Sequence, residues 1–247
     1  AAGAQLDSKD RRRRTPLLLA ASEGHVDVVS ALLAAGADPN ACSNKGDDAL
    51  LIAICKGHPQ VVAALAAAGA DITWIDEEGA TALHHAARKG NAAVIEVLVG
   101  SGADLAAADR AGKTPLTWAA QAGRTAALQK LLELGAPVDA PALAAAAAAG
   151  RTRPLAVLLA ASGAKVTSLP NVELALYAAA QNGRYENLSA LLAAGLPVDV
   201  RDSEGRTALM EAAGSSSDLA NKAIETLLVA GASLEERDNK ERTALMF

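Results

Sequence analysis

Few residues in this chain are spaced for chemistry, and each such pattern falls short of what its reaction needs. Gly112-Lys113-Thr114 ends like a phosphate-binding loop. That loop needs another glycine five residues before Gly112 and a preceding strand; Ala107 occupies the position and no strand pattern leads into it. Ser162-Gly163-Ala164-Lys165 has the S-x-x-K spacing of serine acyl-enzymes, which requires a helix to bring serine and lysine together. Here the intervening Gly-Ala predicts a helix end. His84 and His85 are adjacent, so on a helix they diverge by about 100° and cannot share a metal as an i, i+4 pair does. His25 and His58 follow Gly24 and Gly57 in matching positions, and Cys42 and Cys55 lack metal-ligand spacing. The carboxylates recur at turn positions. These patterns point away from an enzyme, and neither a metal nor a cofactor is expected.

The elements that position these residues must be helices in thin layers. Of 247 residues 51% are hydrophobic, but only 2% are aromatic. A rounded core fills its volume with large aromatic rings, whereas an interior of Ala and Leu requires elements that approach closely. The formal net charge of −5 argues against a nucleic-acid partner, which selects a basic balance. Two cysteines make no disulfide framework and fit a reducing, intracellular setting, with the cytoplasm expected. The longest uncharged apolar run, between Asp139 and Arg151, is far shorter than the roughly 18 residues of a membrane span.

Periodicity carries the strongest signal. Thr15-Pro16-Leu17 recurs as Thr114-Pro115-Leu116, 99 residues or three steps of 33 later, with Asp48-Ala49-Leu50 and Thr81-Ala82-Leu83 between. Thr207-Ala208-Leu209 and Thr243-Ala244-Leu245 follow. Nine residues after each of the first four starts stands Gly24, Gly57, Gly90 or Gly123, and each unit closes on a Gly-Ala pair such as Gly36-Ala37 or Gly69-Ala70. Thr suits an N-cap, Pro the first helical turn and Gly a left-handed C-cap. Val28-Val29 and Leu32-Leu33 give the second helix one apolar stripe. Asp-x-x-Gly, as in Asp76-Glu77-Glu78-Gly79, is a turn signal.

This unit resembles the ankyrin repeat, and the segment from Asp76 to Asp104 is similar to its pattern at Thr81, Leu83, His84, Ala86, Ala87, Gly90 and Leu98. The resemblance covers essentially the whole chain. It implies an all-α solenoid of stacked helix-turn-helix units with protruding β-turn fingers, and a single array over residues 1–247. Repeats are expected to begin near residues 10, 43, 76, 109, 140, 169, 202 and 238. Residues 1–9 read as the end of a preceding repeat, with Gly3 standing 33 before Gly36, and the last repeat reads as truncated. The fifth repeat lacks about six residues where its turn belongs, near Asp139-Ala140-Pro141, and the seventh carries three extra around Gly214-Ser215-Ser216-Ser217. Ala144 to Ala149 leave the fifth repeat's first helix nearly bare, which reads as a smooth notch, as a hinge, or as a degenerate repeat without a role.

The resemblance also implies where a partner sits: on the concave face, at the residues flanking each turn glycine and the two residues that end each first helix. Carried over by register, these include Arg11, Arg12 and Arg14 in the first repeat, and Lys45 and Lys56 in the second. The third supplies Glu77, Glu78, Arg88 and Lys89, and the fourth Arg110 and Lys113. With Arg13, which takes the place of a turn glycine, such positions in the first four repeats hold ten basic and four acidic residues, on a chain whose total is −5. Trp74 precedes the third turn where the family has a small residue. It is either an interface anchor or packed on a neighbouring turn. Trp118 shares a slot with Leu19, Ile52 and His85 and is expected to pack between repeats.

The expected function is therefore a non-catalytic protein-protein interaction module, an adaptor, scaffold or substrate receptor, whose basic N-terminal half attracts an acidic segment of a protein partner. The alternatives are a structural component of a large permanent assembly and a targeting segment of a larger enzyme or channel. A basic patch at Arg11 to Arg14 for nucleic acid or targeting is the weaker reading, because it is embedded in a repeat turn.

Overall fold

A computed structural model describes residues 6–44 and 46–247, and these form two compact units. The first comprises Ala1–Pro115 with Glu133–Ala136, and the second Leu116–Leu132 with Pro137–Phe247. The expected end of a preceding repeat, including Gly3, falls largely on residues 1–5 and so lies outside the described residues.

In the first unit the helices come in pairs: α1 (Pro16–Glu23) with α2 (Val26–Ala34), α3 (Ala49–Lys56) with α4 (Pro59–Ala67), and α5 (Ala82–Lys89) with α6 (Ala92–Gly100). Local chemistry sets their ends. Thr15 caps α1 by accepting from the Leu18 N–H at 3.3 Å, and Asp48 does the same for α3 with the Leu51 N–H at 2.7 Å. Each such cap is worth about 1 kcal/mol. Pro16 and Pro59 occupy first-turn positions that leave no hydrogen bond unmade.

The first helices α1, α3 and α5 pack side by side, and the second helices α2, α4 and α6 form a parallel layer. Leu17, Leu50 and Leu83 are buried with Ala20, Ala53 and Ala86. The alanines let the first helices approach closely, so leucine and valine suffice to fill the interior without aromatic rings.

The second unit repeats the design with variations. α9 (Ala140–Ala148) pairs with α10 (Thr152–Ser162), α11 (Glu173–Gln181) with α12 (Tyr185–Ala193), and α13 (Ala208–Ala213) with α14 (Ala220–Val229). α7 (Pro115–Gln121) and α8 (Thr125–Glu133) complete the helix order. Trp118 of α7 is buried. In the fifth repeat the chain enters α9 directly from Asp139, whose carboxylate accepts from the Ala142 N–H at 2.8 Å. The bare α9 packs along α11, and Asn187 of α12 donates to the Ala146 and Ala147 carbonyls at 3.3 and 3.1 Å. A 3-10 turn over Gly163–Ser168 follows α10, and Asn171 takes a left-handed backbone (φ 59°) before α11. The seventh repeat's extra residues stitch backward: Ser215 Oγ donates to the Gln181 carbonyl at 2.6 Å and Ser217 Oγ to the Asn182 carbonyl at 3.3 Å.

Consecutive pairs are locked by the residue after each first-helix glycine. The His58 ring Nε2 lies 3.1 Å from the Ser22 carbonyl and passes over Gly24, where an added Cβ would sit 2.7 Å from His58 Nδ1. Gly24 also has φ 76°. Gly36 has φ 94° with nothing within 4 Å of an added Cβ. Alanine at either position carries backbone strain of roughly 1–3 kcal/mol, but only Gly24→Ala must also push His58 from its carbonyl. The urea midpoint of Gly24→Ala is therefore expected below that of Gly36→Ala, with the gap closing in a His58→Ala background. Equal midpoints in the native background would show that the ring moves aside freely.

Candidate binding surface

The first, third and fourth fingers are each built on one aspartate, and Ser43 holds that place in the second. Asp10 Oδ1 accepts from the Arg12 and Arg14 N–H groups, both at 2.8 Å. Asp76 Oδ1 accepts from Glu78 (2.9 Å) and Ala80 (2.8 Å), and Asp109 Oδ1 from Ala111 (2.9 Å) and Lys113 (2.8 Å). A side-chain carboxylate that collects two backbone N–H groups replaces the hydrogen bonds a strand ladder would supply. The residues between are turned outward: Arg11, Arg12, Glu77, Glu78 and Arg110 are all exposed. The first finger does this without a turn glycine, because Arg13 adopts φ 57°. Adjacent fingers touch through the backbone: the Asn44 N–H donates to the Arg12 carbonyl at 3.4 Å and the Arg110 N–H to the Glu78 carbonyl at 2.9 Å.

Gly112-Lys113-Thr114 is thereby accounted for, since Gly112 and Lys113 close the fourth finger on Asp109. Ser162 Oγ donates to the Leu158 carbonyl at 2.7 Å, and Gly163 ends that helix before Lys165.

The two adjacent histidines hold the third and fourth fingers. His84 Nδ1 accepts from the Thr81 N–H at 3.1 Å, so its Nε2–H donates to the Lys113 carbonyl at 3.0 Å. His85 faces its own finger, with Nε2 donating to Asp76 Oδ2 at 2.9 Å and Nδ1 accepting from Arg88 Nη2 at 3.1 Å. A relay thus runs from the finger base through His85 to the end of α5, and it places Arg88 on the same side as the finger. Burial lowers both imidazoles from their ordinary value; at His85 this overcomes the opposing Asp76 hydrogen bond. Burial pushes Asp76 upward, but the Ala80 N–H, the His85 ring and the Glu78 N–H together hold it below the usual carboxylate range.

The residues expected to meet a partner differ in exposure and pairing. Arg11, Arg12, Lys56, Lys89 and Arg110 are exposed, and among the described residues none of them makes an ion pair. Arg88 is exposed but held by His85. Arg14 is half-buried and forks onto Asp10, with Nε and Nη2 at 2.9 and 2.8 Å from Oδ2, so its charge is locally matched. Lys113 is half-buried, and Lys45 lies outside the described residues.

Trp74 is half-buried and stacks on His85 with ring centroids 5.7 Å apart. Its indole Nε1 is enclosed without a hydrogen-bond partner. The Asp76–His85–Arg88 relay escapes sequence reasoning. The only signal for it is an arginine three residues after a histidine on a helix face that a turn aspartate can reach.

In the second unit the finger arginines are matched. Arg206 meets Asp202, Glu204 and Glu211 at 3.1, 3.6 and 2.7 Å, and Arg242 meets Asp238 at 2.7 Å. Arg201 and Arg237 lie 3.7 Å from Glu236 and Glu241. Among the described residues no three metal-binding side chains gather to hold an ion, and no single helix is long and apolar enough to cross a membrane.

A family model for ankyrin repeats matches three times, over residues 2–76, 69–142 and 143–238. No curated protein matches the chain in sequence. Among solved structures, the crystal structure of the human ASB11 ankyrin repeat domain is similar at 26% identity and a TM-score of 0.72, covering 89% of this chain and 99% of that one.

The histidine relay has a pH signature. Unfolded imidazole titrates near pH 6.5, and the folded His84 and His85 titrate below it. Folding therefore favours the neutral rings. Their stabilisation is complete above about pH 6.5 and is lost as pH falls toward the folded values. The urea midpoint is expected to drop between about pH 7.5 and pH 5.5, with a shallower drop in His85→Gln. A slope as steep in the variant as in the native chain would assign the effect to other groups.

Proposed function

The chain belongs to the ankyrin repeat family, and from that premise we propose that it is a non-catalytic adaptor, scaffold or substrate receptor that binds a protein partner bearing an acidic segment. The partner engages the face formed by the fingertips and first-helix ends of the first unit. The observation that carries this reading is the contrast in charge matching. Arg11, Arg12, Lys56, Lys89 and Arg110 stand exposed with no carboxylate paired to them among the described residues, whereas Arg14 of the first unit and Arg206 and Arg242 of the second, each four residues after a finger aspartate, are matched within their own turns.

Unmatched cations on a rigid scaffold raise the association rate with an acidic partner and select it over others. They add little to stability, since exposed ion pairs are worth about 0–1 kcal/mol. The side chains that could serve catalysis are engaged in structure: His84 caps α5 and holds the next finger, and His85 ties a finger to its helix. Cys42 and Cys55 are both exposed free thiols, which suits the reducing interior of a cell.

Affinity capture from the source cell's lysate at low and at moderate salt tests the reading. The control bait carries Arg11, Arg12, Lys56, Lys89 and Arg110 changed to Glu, and leaves Arg14 in place because it closes the first finger. A partner that binds the native bait, weakens with salt and falls at least about tenfold on the reversed bait is expected. The same partners on both baits regardless of salt would favour a structural component of a permanent assembly.

A further inference from the structure

The unmatched cations do not line one edge of the first unit. The fingertips read basic at Arg11 and Arg12, polar at Asn44, acidic at Glu77 and Glu78, and basic again at Arg110. The ends of the first helices read in the opposite sense: Glu23 closes α1, Lys56 closes α3, and Arg88 and Lys89 close α5. Because α1, α3 and α5 pack in order, the positive positions trace a line that is oblique on its first leg and follows the row of helix ends on its second. It runs from the fingertips of the first repeat, across the α3 end, to the α5 end. Glu23 lies on one side of that line and Glu77 with Glu78 on the other, and none of the three makes an ion pair among the described residues.

Resting on the interaction-module reading above, we propose that this line is a track for a short extended acidic segment of the partner. One carboxylate meets Arg11 and Arg12, one meets Lys56, and one meets Arg88 with Lys89. Helices packed about 8–10 Å apart put the first and third repeats roughly 20 Å apart, and an eight-residue helix adds about 12 Å across. The first leg is then about 16 Å and the second, between equivalent helix ends, about 10 Å, which an extended chain covers in about five and about three residues at roughly 3.3 Å each. Acidic side chains about five and then about three residues apart meet the three basic stations.

The flanking glutamates decide the class of ligand. A nucleic acid carries charge continuously along its backbone and gains by covering many cations at once, and any broad polyanion laid here meets Glu23 or Glu77 and Glu78. A narrow acidic strand passes between them. Arg88 is fixed for the purpose by His85 and Asp76, so its guanidinium loses less freedom on binding than a mobile side chain does.

A random dodecapeptide display library, selected on the native chain and on a Lys56→Glu/Lys89→Glu variant, tests the track. Asp and Glu are expected to be enriched at three positions, about five and about three residues apart. The enrichment should vanish with Lys56→Glu/Lys89→Glu and survive Arg110→Glu, which lies off the line. Circular dichroism of the variants checks that these exposed changes leave the helices intact. Absence of acidic enrichment, enrichment that survives Lys56→Glu/Lys89→Glu, or equal loss with Arg110→Glu each overturns the oblique track. If the lysate partner is lost on the charge-reversed bait while selection shows no acidic spacing, the interaction-module reading stands and the track falls.

Fluorescence anisotropy with a short single-stranded DNA supplies the other arm. Binding to the native chain is expected to be weak, and to rise at least about tenfold in Glu23→Lys/Glu77→Lys/Glu78→Lys. DNA that binds the native chain more tightly than the selected peptides, and is lost with Lys56→Glu/Lys89→Glu, would make the track a nucleic-acid site instead.

Discussion

The first helices meet through alanine, and that contact sets the spacing of what surrounds it. Ala20, Ala53 and Ala86, equivalent positions 33 residues apart, are buried on α1, α3 and α5, which pack side by side. With no bulk between the helices, neighbouring fingers come within backbone hydrogen-bond distance, as at Arg110 N–H and the Glu78 carbonyl. Larger side chains at these positions would overpack the layer and part the fingers. The same close fit lets His58 cover Gly24 and lets His84 reach from one repeat to the Lys113 carbonyl of the next. Within the first unit neighbouring repeats are thus tied at the helix core, at the first-helix glycine and at the finger.

On this scaffold the aspartate at a finger base, where there is one, separates two jobs. Its Oδ1 folds the turn by taking two N–H groups, while its Oδ2 remains free to meet a neighbour. In Asp10, Asp202 and Asp238 that oxygen takes an arginine four residues on, which quiets the local charge. In Asp76 it takes His85 and passes the constraint to Arg88. The first unit therefore carries a frame on which Arg11, Arg12, Lys56, Lys89 and Arg110 are exposed and make no ion pair among the described residues. Surface charges of this kind contribute little to folding; their effect is on encounter and selection.

Departures from the repeat follow the same economy of contacts. Where the fifth repeat lacks its turn, Asp139 serves α9 as a plain N-cap, and Asn187 satisfies the carbonyls at its far end. Where the seventh repeat has extra residues, Ser215 and Ser217 bond back to the loop before them. Positive φ without glycine, at Arg13, Asn171 and Glu241, marks three places where the turn chemistry deviates while the path of the chain is kept.

What the sequence alone determines is the local chemistry. Thr15, Pro16 and Gly24 bound a helix, and Asp76 with Gly79 makes a turn, because caps and turns act over about four residues and so leave a fixed spacing in the text. The 33-residue period orders the candidate surface for the same reason: each repeat places the same register at the same site. Tertiary structure decides which charges remain available. Arg11 and Arg14 read alike in the sequence, but only Arg14 curls onto Asp10. Trp74 reads as an anchor or as packing, and the structure lays it half-buried on His85. The oblique order of charge arises from neighbours some 33 residues apart that side-by-side helices bring together, and no local rule acts over that separation.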